Sequence, residues 1–248
     1  METRLSDAAA ATWTLGACHR YHQEELATLP LFVVLSSDDE FAMSDWTGIW
    51  FESYLNQSQS RLLIPPNSEH SLTTAIPELV PSLTRVVDSL TGGPEMPFLR
   101  LVSRDNDTMV VRLEGVDAAA EGDATVMLRH GETLTNQRRD FRWVRMATNE
   151  SEGGEPCELP SIKSPKEIFG GGNCFVPIVW HEEELTAGAD GTYTVSVPRP
   201  THDDRWIGYY VEARFSTSHL RMTTPSYVYP ETFPFPDCVG TSCVDKLV

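Results

Sequence analysis

The hydrophobic pattern changes character near residue 94. Before it, apolar residues come in two short unbroken runs, Leu31 to Leu35 and, just after Arg61, Leu62 to Ile64. Runs without alternation fit strands of a parallel sheet buried on both faces. Between them Trp46, Ile49, Trp50 and Tyr54 recur at helical spacing, with Ser44 or Asp45 placed to cap that helix. After the second run Leu79, Leu83, Val86, Val87 and Leu90 fall on one helical face, and Pro77 and Pro81 confine the regular helix to its later turns. The order is strand, loop, helix, strand, loop, helix, a βαβα unit whose crossover is expected to be right-handed.

The Thr91-Gly-Gly-Pro94 stretch reads as a hinge. Beyond it, helical periodicity gives way to short β-type runs at residues 98–102, 109–113, 125–129, 141–146, 175–180, 193–197, 206–215 and 226–229. Turn residues at 105–107, 121–123 and 189–191 separate several of them, and residues 151–173 form a long loop rich in Gly, Pro, Ser and Glu. Short strands at such intervals predict an antiparallel β-sandwich of immunoglobulin or fibronectin III type. The expected fold class is thus α/β plus all-β, with residues 1–93 as a partial α/β region and 94–248 as the sandwich.

Each unbroken run of the first region ends in a residue that carries chemistry. Ser36-Ser-Asp38-Asp39-Glu40 follows the first, and Pro65-Pro-Asn-Ser-Glu-His70 follows the second. An α/β-hydrolase presents its acid and its histidine in this way, at the carboxyl ends of its last strands. Asp39 is read as the acid and His70 as the base, with Asp38 the competing acid. In a Ser-His-Asp triad the acid orients the imidazole, and the imidazole takes the proton of the serine. No G-x-S-x-G occurs in the 248 residues, so the expected arrangement has an acid and a base without a nucleophile. The region reads as the C-terminal βαβα remnant of an α/β-hydrolase domain, inactive as it stands.

Charge and cysteines narrow the compartment and the partners. The formal net charge is −17, which argues against nucleic acid as a partner, and no apolar run is long enough to span a bilayer. The N-terminus lacks the apolar stretch of a secretory signal. Three N-glycosylation sequons, at Asn56, Asn106 and Asn149, point the other way, toward a secreted parent. So do five cysteines: Cys157 with Cys174 and Cys238 with Cys243 are spaced to pair in an oxidising compartment, leaving Cys18 over, while five free thiols is the alternative. Three further clusters carry less. Cys18 and His22 share a helical face but lack a second pair of metal ligands. His181-Glu-Glu-Glu and Thr201-His-Asp-Asp lack the spaced oxygens of a calcium loop and read as solvated turns. In Arg138-Arg-Asp-Phe-Arg-Trp143 the aromatic residues read as one strand face, with Arg139 paired to a nearby acid. No cofactor is called for.

Ser37-Asp-Asp-Glu-Phe41, Pro66-Asn-Ser-Glu-His70, Arg139-Asp-Phe-Arg142, Trp206-Ile-Gly-Tyr-Tyr-Val-Glu-Ala-Arg-Phe215 and Phe233-Pro-Phe-Pro-Asp-Cys238 occur in this order. The set resembles the PhoPQ-activated pathogenicity-related protein family, whose members include extracellular signals of slime moulds. The resemblance runs from about Leu31 to Cys238. It implies an α/β-hydrolase-like domain followed by a β-sandwich, in secreted or periplasmic proteins. Asp39 corresponds to the acid and His70 to the base, and the serine-bearing elbow would lie upstream of Met1. Two functions follow as expectations. One is the acid and base half of a secreted hydrolase acting on an unknown small-molecule or peptide ester or amide. The other is a non-catalytic extracellular protein that binds a cell-surface partner through its sandwich.

Overall fold

A computed structural model describes residues 29–41, 44–48, 51, 60–134, 136, 139–146, 162–163, 173–175 and 178–232. In chain order its elements are β1 (Phe32–Val34), β2 (Arg61–Leu63), α1 (Ile76–Leu90), β3 (Phe98–Arg104), β4 (Thr108–Glu114), α2 (Ala118–Glu121), β5 (Ala124–Glu132), β6 (Val144–Met146), β7 (Ile162–Lys163), β8 (Asn173–Phe175), β9 (His181–Glu184), β10 (Thr192–Ser196), β11 (Ile207–Phe215), β12 (Arg221–Thr223) and β13 (Tyr227–Tyr229). The described fold is mostly β.

β1 and β2 are parallel, with Val33 opposite Leu62. They do not stand apart from the later strands. Leu62 of β2 faces Thr223 of β12 in antiparallel register, and the order runs on through β11 and β5 to β9. β13 shares the same flank of β11 as β12: it pairs residues 207–209 and β12 pairs residues 212–214. One seven-stranded mixed sheet therefore crosses the hinge at residues 91–94. β10, β4 and β3 form a second sheet, and β6, β8 and β7 a small third one.

β11 explains the layering. Tyr209, Val211, Ala213 and Phe215 point to one face, where they join Met109 and Val111 of β4 and Val195 of β10 in a single core. The two sheets thus pack face to face. Tyr210 points to the other face and packs with Leu62, Ile64, Phe141, Ile178, Trp180 and Trp206. A strand buried on both sides loses the alternation of a half-exposed one, hence the apolar run at 206–211. Each such side chain taken fully out of water contributes about 1.5–3 kcal/mol.

The structure corrects several expectations. α1 starts at Ile76, with Pro77 in its first turn, where the missing N–H costs nothing, and it continues through Pro81. Its buried residues are Ser82 and Arg85, whereas Leu83, Val87 and Leu90 are exposed. Three of the five residues of the apolar face thus point outward, with Leu79 and Val86 half-buried, because the polar residues have partners inside. Arg85 donates to Glu121 at 2.9 Å and to the Pro94 carbonyl at 2.9 Å, and Ser82 Oγ accepts the Arg221 N–H at 3.0 Å. Glu121, expected in a turn, is fully buried at the end of α2. His181-Glu-Glu-Glu is not a turn but β9, paired to β5 at the edge of the large sheet. Its exposed glutamates suit an edge, where charge discourages pairing with a further strand. β12 and β7 were not expected as strands, and the run at 141–146 is a strand only from Val144. Ser44–Trp46 is a 3-10 turn. Asp45, read as a cap, instead forms a buried ion pair with Arg139 at 2.8 Å. Cys18, Cys157, Cys238 and Cys243, with Asn56 and Asn149, lie outside the described residues, as does the side chain of Cys174. Asn106 is exposed in the turn between β3 and β4. Among the described residues no helix is long and apolar enough to cross a membrane.

Candidate active site

Because β1 and β2 are parallel, the loops that follow them emerge at the same end of the sheet. Catalytic groups gather at such carboxyl ends because two loops converge there on rigid strands. The backbone zips the loops together past the last strand residues. Leu35 N–H donates to Leu63 O at 3.1 Å, Ser37 N–H to Pro65 O at 3.2 Å and Asp38 N–H to Ser68 O at 3.1 Å.

At the tip of this pairing His70 Nδ1 lies 3.0 Å from Oδ1 and 3.0 Å from Oδ2 of Asp39. Asp39 is 4% exposed and the histidine side chain 54% exposed, so a buried carboxylate holds an imidazole that faces solvent. Asp39 is held in turn. It accepts the Ser36 hydroxyl at 3.2 Å on one oxygen and the Phe41 N–H at 2.8 Å on the other. The His70 backbone N–H donates to Glu40 at 2.9 Å, and the Phe41 ring meets the imidazole edge-on at 4.8 Å. Below His70, Glu69 ties its own loop by accepting the hydroxyls of Ser71 and Thr74, each at 2.6 Å. Partial burial pushes the Glu69 carboxyl up, but these bonds outweigh it and its pKa falls to about 2.

Asp38, the competing acid, turns the opposite way. It is 1% exposed and accepts the Ser37 hydroxyl at 2.7 Å and the Trp180 indole N–H at 2.9 Å. Burial raises its carboxyl from 3.8 to about 7, against those two hydrogen bonds. Adjacent acids thus have separate places, one on the imidazole and one inside.

Trp180 is the residue that sequence reasoning missed. Besides holding Asp38, it exchanges two backbone bonds with the Asn67 side chain: Trp180 N–H donates to Asn67 Oδ1 at 2.7 Å, and Asn67 Nδ2 donates to Trp180 O at 3.1 Å. Its indole lies over Gly131 and Gly208, paired across β5 and β11. A Cβ at Gly208 would stand 2.7 Å from the ring. Glycines inside otherwise apolar strand patterns were the available signal.

Among the described residues no serine, threonine or cysteine side chain is bonded to His70, and no group of three His, Cys, Asp or Glu is arranged to hold a metal ion. A cavity lined by Ser60, Arg61, Phe98 and Met222 opens at the other end of β2 and shares no residue with this site.

Residues 11–142 match the PhoPQ-activated pathogenicity-related protein family, and the match covers more than half of the chain and both site loops. The chain belongs to that family. Over 223 residues it is 24% identical to the Autocrine proliferation repressor protein A of Dictyostelium discoideum, an alignment covering 85% of this chain. The chain spans 40% of the length of that relative. No solved structure matches. Within this PhoPQ-related chain the family match ends at residue 142, before Trp180, so the site contact to Trp180 comes from outside the matched segment.

Proposed function

We propose that this chain supplies the acid and the base of a serine-hydrolase relay, in a protein that cleaves an ester or amide outside the cell. The observation that carries this reading is His70 Nδ1 within 3.0 Å of both Asp39 oxygens, on an imidazole open to solvent. With its proton on Nδ1, His70 donates to Asp39 and leaves Nε2 unprotonated and outward. Nε2 then takes the proton of an attacking hydroxyl and later returns it to the leaving group, while Asp39 stabilises the imidazolium formed between. Among the described residues no side chain is placed to supply that hydroxyl. In this reading β1, β2 and α1 are the last elements of an α/β-hydrolase sheet that runs on through β12 into the strands beyond residue 94, and those later strands form an immunoglobulin-like accessory layer.

The test is labelling of the native protein, captured by an antibody to residues 201–232, with a fluorophosphonate probe. Labelling is expected, and His70→Ala should abolish it. Replacing the orienting acid, Asp39→Asn, should slow it by about 10⁴-fold, the loss typical of a triad whose histidine tautomer is wrong. No labelling, or labelling indifferent to both substitutions, refutes the reading.

A second reading, a secreted non-catalytic signal acting through the paired sheets, is favoured by the name of the slime-mould relative and by the exposed Asn106 sequon. Saturable binding of the 248-residue chain to cells, with the His70→Ala variant binding equally well, is its expected result.

A further inference from the structure

We infer that Trp180 is a positioning residue for the acid–base pair, locking the Asp39 loop and the His70 loop to each other from the accessory layer. The inference rests on the reading of Asp39 and His70 as such a pair. Every polar group of Trp180 is engaged with these two loops. Its indole N–H holds Asp38, the residue next to Asp39. Its backbone N–H and carbonyl hold Asn67, three residues before His70. Asn67 has a φ of 54°, a left-handed conformation that turns its amide back toward Trp180.

The tryptophan itself cannot give way. It is 2% exposed, it rests on Gly131 and Gly208, and its ring meets Tyr210 at 5.3 Å and Phe141 at 5.8 Å between centroids. One rigid residue, through its indole N–H and its backbone, thus braces two loops that are otherwise joined by a few backbone bonds and by the Glu40 carboxylate on the His70 N–H. A base must sit within about 1 Å of its working position, since a misplacement of that size costs on the order of 10²-fold in rate. The paired sheets are on this account part of the site rather than a separate module.

A tryptophan that only fills the core would affect stability and nothing else. The discriminating readout is therefore where His70 keeps its proton. An exposed neutral imidazole favours Nε2–H, whereas one bonded to Asp39 keeps Nδ1–H. Nitrogen-15 NMR of the full 248-residue chain, at a pH where the histidines are neutral, reads this directly. The wild type should show His70 protonated on Nδ1. Trp180→Phe keeps a ring on the glycine bed but removes the N–H, and Asn67→Gly keeps the left-handed backbone but removes the amide. In both, the Nδ1 proton of His70 should be lost to Nε2 while the signals of β5 and β11 persist. Asn67→Gly leaves the core untouched, so it decides the matter should Trp180→Phe unfold. A folded variant that retains Nδ1–H overturns the positioning role. Asp39→Ala separates the two claims. If His70 keeps Nδ1–H there, the acid–base pairing itself is wrong. If Asp39→Ala moves the proton and the Trp180 and Asn67 variants do not, only the positioning role falls.

Discussion

Asp38→Asn should make the protein more stable at neutral pH and leave it nearly unchanged in mild acid. The carboxyl is 1% exposed, and burial lifts it from 3.8 to about 7. At about 1.36 kcal/mol per unit this amounts to about 4 kcal/mol of pH-dependent stability. Because the folded value lies above the unfolded one, the folded chain holds this proton more tightly. The favourable contribution is complete below pH 4 and is lost as the pH rises toward 7. Asparagine carries no charge to bury. Its Oδ1 still accepts the Trp180 N–H, and the Ser37 hydroxyl can rotate to accept from its amide. Urea unfolding of both proteins from pH 4.5 to 8 gives the difference in stability. It should be small at the acid end and grow by a few kcal/mol in favour of the variant by pH 8. Burial raises Asp45 and Glu212 as well, but these act in both proteins and cancel in the difference. A difference independent of pH, or a wild type that gains on the variant as the pH rises, would refute the argument that Asp38 is buried against its charge.

Gly208→Ala places a methyl 2.7 Å from the Trp180 ring and should cost about 1–3 kcal/mol by overpacking, read as a lower thermal midpoint. Gly131→Ala, 3.1 Å from the same ring, should cost less, and the reverse ranking would contradict the packing. Glu121→Ala leaves Arg85, 6% exposed, with only the exposed Asp88 carboxylate at 3.4 Å and should destabilise by about 3 kcal/mol in denaturant titration. Leu83→Gln and Val87→Gln fall on the outward face of α1 and should change stability by less than about 0.5 kcal/mol, whereas a loss above 2 kcal/mol would mean that this face is packed.

The parts of the fold legible in advance were those encoded within a few residues. Unbroken apolar runs marked β1, β2 and β11, and most strands of the paired sheets fell where alternation and turn residues put them. Three elements escaped for local reasons. β9 is a string of charges that is a strand only because β5 offers it an edge, and β12 and β7 are too short to show a period. α1 misled more deeply. Its apolar stripe is real, but Arg85 and Ser82 take the inner face because Glu121 and the Arg221 N–H lie there to receive them. Periodicity reports that a helix has two faces, not which one the neighbours will take.

By itself the sequence determined that one strand leads into the loop carrying Asp38-Asp39 and another into the loop carrying His70, because each apolar run and its stop are local. Tertiary structure alone decided which of the adjacent acids meets the histidine. Both acids lie in the loop that follows β1, with Asp38 in a turn, and only the position of the β2 loop and of Trp180 gives one acid the imidazole and the other the interior. It also decided that both regions share one sheet, through the pairing of Leu62 with Thr223. No local pattern carries such a pairing, because its hydrogen bonds join residues far apart in the chain.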